Sequence, residues 1–367
     1  MLRTILLVFL LLHGAIHVMG FVKAFDLAKV PALALPISRS MGVFWAFAAV
    51  LFIWAGVALL SGSDRWWMPA AVAVVVSQVL IILYWHDARF GTIANVLVLL
   101  AVISGAGSWS FRNTYKAAVA RTVEGTRALQ GQRITDADLA PLPLPVQRFL
   151  RATGVVGTVK PRNMRIAFEG RIRGFEGPWM PFTSVQTNRF DEPARFFWID
   201  AMMKGIPTKG LHAYENSTAT MLIKLLGVVP VMEAHGPEMD KAETVTWFND
   251  LCIYAPGALF DPRISWADVD DHSSKATFTN GGLSISAILV FNAEDRLVDF
   301  ISDDRYAVTE GNSKSMRFST PLRDHRAING LILPGYGEAV WHRPEGPFVY
   351  GEFTLRSITY DIGTAVQ

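Results

Sequence analysis

Cysteine is almost absent from this chain. Cys252 is the sole one among 367 residues, which excludes an intrachain disulfide framework and any zinc site built from several thiolates. Charge is scarce as well: Asp, Glu, Lys and Arg make up 18%, against roughly a quarter in ordinary soluble domains, so part of the chain is suited to lipid. The net charge of +2 comes without a long basic run, so the electrostatic footprint of a nucleic-acid partner is missing. There is no G-x-S-x-G elbow, no Walker loop and no H-E-x-x-H, so no familiar nucleophile, phosphate cradle or zinc helix is spelled out. No strand, glycine loop and helix follow one another, which argues against a nucleotide-binding α/β fold, and there is no internal repeat.

What is present begins with apolar length. Four uncharged stretches, at 4–22, 41–60, 68–85 and 92–109, occupy the first 110 residues. Each has about 18–20 residues, the length that crosses a hydrocarbon core of about 30 Å. Trp45, Trp66, Trp67, Trp85 and Trp109 fall near the ends of these stretches, where an aromatic belt places them. The first stretch is too long for the apolar part of a signal peptide and lacks a small-residue cleavage motif before "FVKAF", so it reads as a retained span. Residues 1–110 are therefore expected to form a transmembrane four-helix bundle, in a multi-pass cell-membrane protein. Arg3, Arg65, Arg112, Lys116 and Arg121 flank one side of the membrane, and Lys23, Lys29, Arg39 and Arg89 the other. Five against four leaves the orientation open.

Residues 111–145 read as a helical stalk, continuing the fourth helix to near Gly131, and then a proline-punctuated linker. Pro145 suits the first turn of a short helix. Residues 146–367 read as antiparallel β. In "NMRIAFEGRIR", Ile166, Phe168 and Ile172 alternate with Arg165, Glu169, Arg171 and Arg173, the period-two mark of a half-buried strand. Similar segments are "PFTSVQTNRF", "ARFFWIDAM", "KATFTNGGLSISAILVF", "RLVDFISDDRYAV", "GYGEAVWHR" and "FVYGEFTLRSITYD". One helix interrupts them, with Met239, Val245, Phe248, Leu251 and Cys252 on an apolar stripe. The expected fold class is α+β: a transmembrane four-helix bundle followed by an antiparallel β half-barrel with one or two packing helices.

Two histidines, His13 and His17, sit one turn apart inside the first apolar stretch. With four spans, Gln78, His86, Asp87 and Asn95 fall in the same half of the bundle, suggesting a proton-relay path or a polar pocket for a headgroup, a small molecule, a metal or a haem. Hydrogen bonding that fixes helix register explains the same residues without a ligand. "WADVDDHSSK" lacks the glycine and terminal carboxylate of a calcium loop and reads as a solvated turn. "DFISDDR" puts Asp299, Asp303 and Arg305 on one strand face, explained as a polar outer surface. Cys252 packs inside an apolar helix face.

The tail "DHRAINGLILPGYGEAVWHR…FVYGEFTLRSITYD" resembles the closing strands of Lol-type lipoprotein carriers and related lipid-binding domains. Ile328-Asn329-Gly330 through Pro334 matches the family's turn, and Ile358, Tyr360 and Asp361 its last strand. The resemblance covers roughly the last 90 residues and implies a half-barrel that holds acyl chains in an apolar cavity. Over nearly the whole length the chain also resembles an uncharacterised bacterial membrane-protein family, through "HGAIHVMGFVKAF", "SQVLIILYWHDARFGTIANV", "LPLPVQRFLRATGVVG", "GPWMPF" and "MLIKLLGVVPVMEAHGPEMD".

The leading expectation is a membrane-anchored binding protein for lipid or lipoprotein acyl chains. Its cavity would be lined by Trp179, Met180, Phe182, Phe197, Trp198, Met202, Leu222, Leu225 and Trp247, with no catalytic group. One alternative is a haem- or metal-dependent membrane enzyme using the bundle histidines His13, His17 and His86. Another is a membrane-tethered interaction module.

Overall fold

The computed structural model describes residues 2–309 and 312–363. The chain divides into two compact units, one of residues 1–113 with 226–228, the other of the remainder.

The first unit is helical: α1 (Leu2–Ala24), α2 (Arg39–Leu60), α3 (Trp67–Leu83), the short α4 (Trp85–Ala88) and the start of α5 (Gly91–Gly125). Three of these, α1, α2 and α5, are long and apolar enough to cross a membrane. The expected third span is shorter, at 17 residues, because Tyr84 leaves helical geometry (φ −112°, ψ 36°) and the chain turns into α4. Leu10, Phe52, Ala55, Ala70, Ala73 and Val98 form the interior of this unit, whereas Ile5, Val50, Trp54, Val75, Ile82 and Leu100 are exposed. An apolar outside as well as inside is the pattern of helices that meet lipid. Helices α1 and α2 approach closely at Gly20, where any Cβ would fall 2.2 Å from the Trp45 ring. Small residues at such contacts let dispersion hold apolar helices together.

The expected stalk ends early, at Gly125 rather than near Gly131. The Arg189 side chain packs where a Gly125 Cβ would be, and its Nη2 donates to the Gly125 carbonyl at 3.5 Å. Beyond it come α6 (Asp136–Leu139) and α7 (Leu144–Thr153), the latter with proline in its first turn.

The second unit is a curled antiparallel half-barrel carrying a helix, so the α+β class holds. Its strands are β1 (Asn163–Ile172), β2 (Met180–Arg189), β3 (Ala194–Met203), β4 (Ile206–Glu215), β5 (Thr218–Leu225) and β6 (Val229–His235). Helix α8 (Pro237–Tyr254) follows, then β7 (Ile264–Asp270), β8 (Ser273–Asn280), β9 (Leu283–Phe291) and β10 (Leu297–Ser302). A separate hairpin, β11 (Tyr306–Thr309) and β12 (Asn312–Ser315), precedes β13 (Phe318–Ser319), β14 (Leu322–Ile328), β15 (Leu331–Arg343) and β16 (Gly346–Tyr360). The main sheet runs β6-β5-β4-β3-β2-β1-β16-β15-β13-β10-β9-β8-β7, with β14 beside β15.

Two local expectations fail. Strand β10 stops at Ser302, so Asp303 and Arg305 do not share a strand face with Asp299. Asp303 pairs with Arg317 at 2.7 Å, and Arg305 stacks over Phe318 at 4.0 Å. Helix α8 has no single apolar stripe either. From Ala242 to Tyr254 nearly every residue is buried, including Glu243, Thr244, Asn249 and Asp250, because the sheet curls around the helix.

Candidate functional site

Period-two alternation decides which side chains enter the curl. Cross-strand partners share a face. Met164, Asn188, Arg195, Tyr214 and Ala219 therefore form one inward row, and Ile166, Gln186, Phe197, His212 and Met221 form the next. Helix α8 lies over these two rows: Asp250 meets Gln186, Asn188 and Arg195, Glu243 meets Arg195 and His212, and Thr244 meets Tyr214. The rows nearer the other end of the strands belong to Ile172, Ala201, Ile223, Met232, Phe348 and Phe353. These pack against the core yet stay half-buried. The inward face thus has a helix-covered end and an apolar mouth.

The covered end holds a polar cluster under the helix. Arg195 Nε donates to Asp250 Oδ2 at 2.7 Å and Nη1 to Glu243 Oε2 at 3.0 Å. Gln186 Nε2 and Asn188 Nδ2 donate to the same Asp250 oxygen at 2.7 and 3.1 Å. His212 Nδ1 lies 3.2 Å from Glu243 Oε1. Burial works against ionising Glu243, but Arg195 and His212 overcome it and hold the carboxyl at about 2. Burial prevails at Asp250 and pushes its carboxyl above the usual range, against the pull of Arg195. Buried charges persist only when paired and hydrogen-bonded, and this cluster satisfies that condition while locking α8 to β2, β3 and β4.

The mouth is framed by arginines stacked on aromatic rings. Trp179 sits between Arg171 and Arg173, whose guanidinium carbons lie 4.5 and 4.4 Å from its ring. Phe348 sits in the same way between Arg173 (4.5 Å) and Arg343 (4.7 Å). At the opposite, polar end of the strands a cavity of about 200 Å³ is lined by Arg189, Asp191, Glu215, Asn216, Arg263 and Asn280 among others.

In the helical unit the buried polar side chains form one hydrogen-bonded chain. His13 Nε2 meets Asn95 Oδ1 at 2.9 Å, Ser77 Oγ donates to the same oxygen at 3.0 Å, and His17 Nε2 lies 2.8 Å from Ser77 Oγ. His17 Nδ1 donates to the His13 carbonyl at 2.9 Å. Asn95 Nδ2 donates to Gln78 Oε1 at 3.0 Å, and Gln78 Nε2 to Thr92 Oγ1 at 3.2 Å. Both ring nitrogens of His17 are thereby engaged. Phe52 and Trp45 pack on the imidazoles.

Of the residues expected in a bundle pocket, His13, His17, Gln78 and Asn95 come together through Ser77. His86 and Asp87 stand apart. They pair with each other at 2.8 Å, the His86 side chain is 77% exposed, and Asp87 Oδ2 accepts the Leu35 amide. Of the residues expected to line a cavity, Met180, Phe182, Phe197 and Leu225 share the inward face, whereas Trp247 of α8 packs towards the opposite, polar end, its Nε1 donating to the Arg189 carbonyl at 3.0 Å. Trp247 is wholly buried and stacked on Phe278 at 4.9 Å, so it fills core. Trp198, Met202 and Leu222 alternate onto the outer face, where the Trp198 ring meets Tyr115 of α5 at 5.8 Å, and Trp179 lies between its arginines. The Arg195–Glu243–Asp250 cluster escaped sequence reasoning. One signal was available: Arg195 interrupts the inward parity of the apolar Phe197 and Ile199, and an inward arginine demands a buried carboxylate.

An apolar helical unit joined to an antiparallel half-barrel that wraps one helix defines the class of protein. Residues 132–353 match the model of the family of unknown function DUF6544, and the chain belongs to that family. No curated protein matches the chain. Among solved structures it is similar to a LolA-superfamily protein from Nitrosomonas europaea, at 8% identity and a TM-score of 0.33, over 59% of this chain and 94% of that one.

Proposed function

We propose that this protein is anchored by its apolar helices in the cell membrane, with α3 as a fourth, short span, and binds a hydrophobic ligand in the mouth of the half-barrel. The ligand class is lipid, or the acyl chains of a lipoprotein. The carrying observation is the set of half-buried apolar side chains Ile172, Ala201, Ile223, Met232, Phe348 and Phe353, which lie beyond the two rows that α8 bonds. Concave apolar surface of this kind binds ligands by burying their hydrocarbon. The buried cluster under α8 holds the mouth open by fixing the helix at the other end. In the helical unit, the chain from His13 to Thr92 sets the register of α1, α3 and α5, the use to which membrane helices put such bonds.

The test is mass spectrometry of lipids retained by full-length protein in mild detergent, comparing wild type with Ile223→Asp and Phe353→Asp. Wild type is expected to retain acyl-chain lipids, and each variant to lose most of them while keeping its helical unit folded. Equal retention by wild type and both variants would overturn the reading.

A further inference from the structure

The mouth carries a second chemistry beside its apolar lining. Arg171, Trp179, Arg173, Phe348 and Arg343 form an alternating ladder of guanidinium and ring across the hairpins β1–β2 and β15–β16. The charges of this ladder are unequally compensated. Arg171 is held by Glu352 through two 2.6 Å hydrogen bonds. Among the described residues Arg343 has only Glu345, at 3.8 Å and 71% exposed, and its buried Nε makes no hydrogen bond. Arg173 spends its Nε on the Val349 carbonyl at 2.9 Å, and among the described residues no carboxylate lies within ion-pair distance of it.

The neighbouring β3–β4 hairpin, at the same end of the strands, reads Met202-Met203-Lys204-Gly205-Ile206. Met202 and Ile206 are 39% and 41% exposed, and Lys204 sits at the tip. Glu176 is the acidic residue of the β1–β2 turn, exposed and unpaired among the described residues. The Asp200 carboxylate on the outer face is taken by Lys209. Uncompensated cation beside exposed apolar tips matches an interface with anionic lipid, where arginine binds phosphate and short apolar side chains enter the acyl boundary.

We propose that the Arg173–Arg343 ladder is a headgroup site for an anionic phospholipid, whose acyl chains occupy the mouth. The inference rests on the hydrophobic-ligand reading above and narrows its ligand to lipids with a phosphate-borne net negative charge. Stacking on Trp179 and Phe348 pre-organises both guanidinium planes, so little entropy is lost when a phosphate arrives.

The experiment uses full-length protein in uncharged detergent, titrated with phosphatidylglycerol or phosphatidylcholine of identical chains and read by native mass spectrometry. The variants are Arg173→Gln/Arg343→Gln together, Arg173→Lys, and Lys275→Gln as an exposed control on β8. Wild type and Lys275→Gln are expected to prefer phosphatidylglycerol by about tenfold or more, since charge-assisted hydrogen bonds from two arginines reward the lipid that carries a net negative charge. The double glutamine variant is expected to lose that preference but keep binding both lipids, and Arg173→Lys to keep only part of it, since the charge remains but the stacked plane is gone. Inorganic phosphate at millimolar levels is expected not to compete. Equal binding of the two lipids by wild type, or an unchanged preference in the double variant, would overturn the headgroup site and leave the hydrophobic-ligand reading standing. Displacement by phosphate would overturn it in favour of a free-anion site. Absence of any bound lipid would overturn both.

Discussion

Arg195 on β3 reaches Asp250 on α8 with its Nε 2.7 Å from the carboxylate oxygen, and Gln186 and Asn188 of β2 converge on the same atom. Two strands and the helix they wrap thus meet at one buried carboxylate oxygen, and Arg195 also reaches Glu243 of the same helix at 3.0 Å.

Removing the cation from this arrangement leaves two buried carboxylates without their partner. Arg195→Ala is expected to cost about 3–5 kcal/mol of stability, the usual penalty for breaking a buried ion pair. Urea denaturation followed by the fluorescence of the buried Trp247 measures it. A combined Arg195→Met/Glu243→Gln/Asp250→Asn variant is expected to recover much of the loss, because no uncompensated charge then remains.

Asp299 predicts a pH dependence. Burial raises its carboxyl from 3.8 to about 6, despite hydrogen bonds from the backbone of Thr320 and Phe300. The fold therefore favours the protonated acid. That contribution is fully present below about pH 4 and is lost as the pH rises through 6. Asp299→Asn keeps an acceptor for the Thr320 amide and removes the charge. Its Tm is expected to exceed wild type by about 2–4 °C at pH 7.5 and to match it at pH 4. An identical difference at both pH values would show that the carboxylate is not responsible.

Asn95 bonds His13, Ser77 and Gln78 at once. Asn95→Leu is expected to lower the stability of the helical unit by about 1–2 kcal/mol, read as thermal unfolding in detergent, with lipid retention by the half-barrel unchanged. Loss of lipid binding at unchanged stability would instead assign the chain a functional role.

Several elements were legible in the sequence for plain reasons. The apolar helices follow from uncharged runs of spanning length, and β1, β3, β9 and β16 from alternation. Strands β4, β5 and β6 were not marked. "IPTKGLHAYE" carries Pro207 and Gly210, and "MLIKLLGVVPVM" is apolar at consecutive positions, so neither shows period two, and both become strands by pairing with neighbours already in the sheet. The same limit dispersed the expected cavity residues. Phe197 and Trp198 are adjacent in sequence and both aromatic, yet a pleated strand must send them to opposite faces.

By itself the sequence determined that the chain has an apolar helical part followed by antiparallel β, and that buried polar groups in the first part need one another. Composition and periodicity act locally, and those conclusions are local. Only the tertiary structure decided that the sheet curls far enough to bury α8 on nearly every side, so that Glu243 and Asp250 are buried against Arg195. It also decided that Arg173 and Trp179 stack into one ladder with Arg343 and Phe348, more than 160 positions further along the sequence. Register between β1 and β16 brings them together, and register is fixed by the whole sheet rather than by either strand.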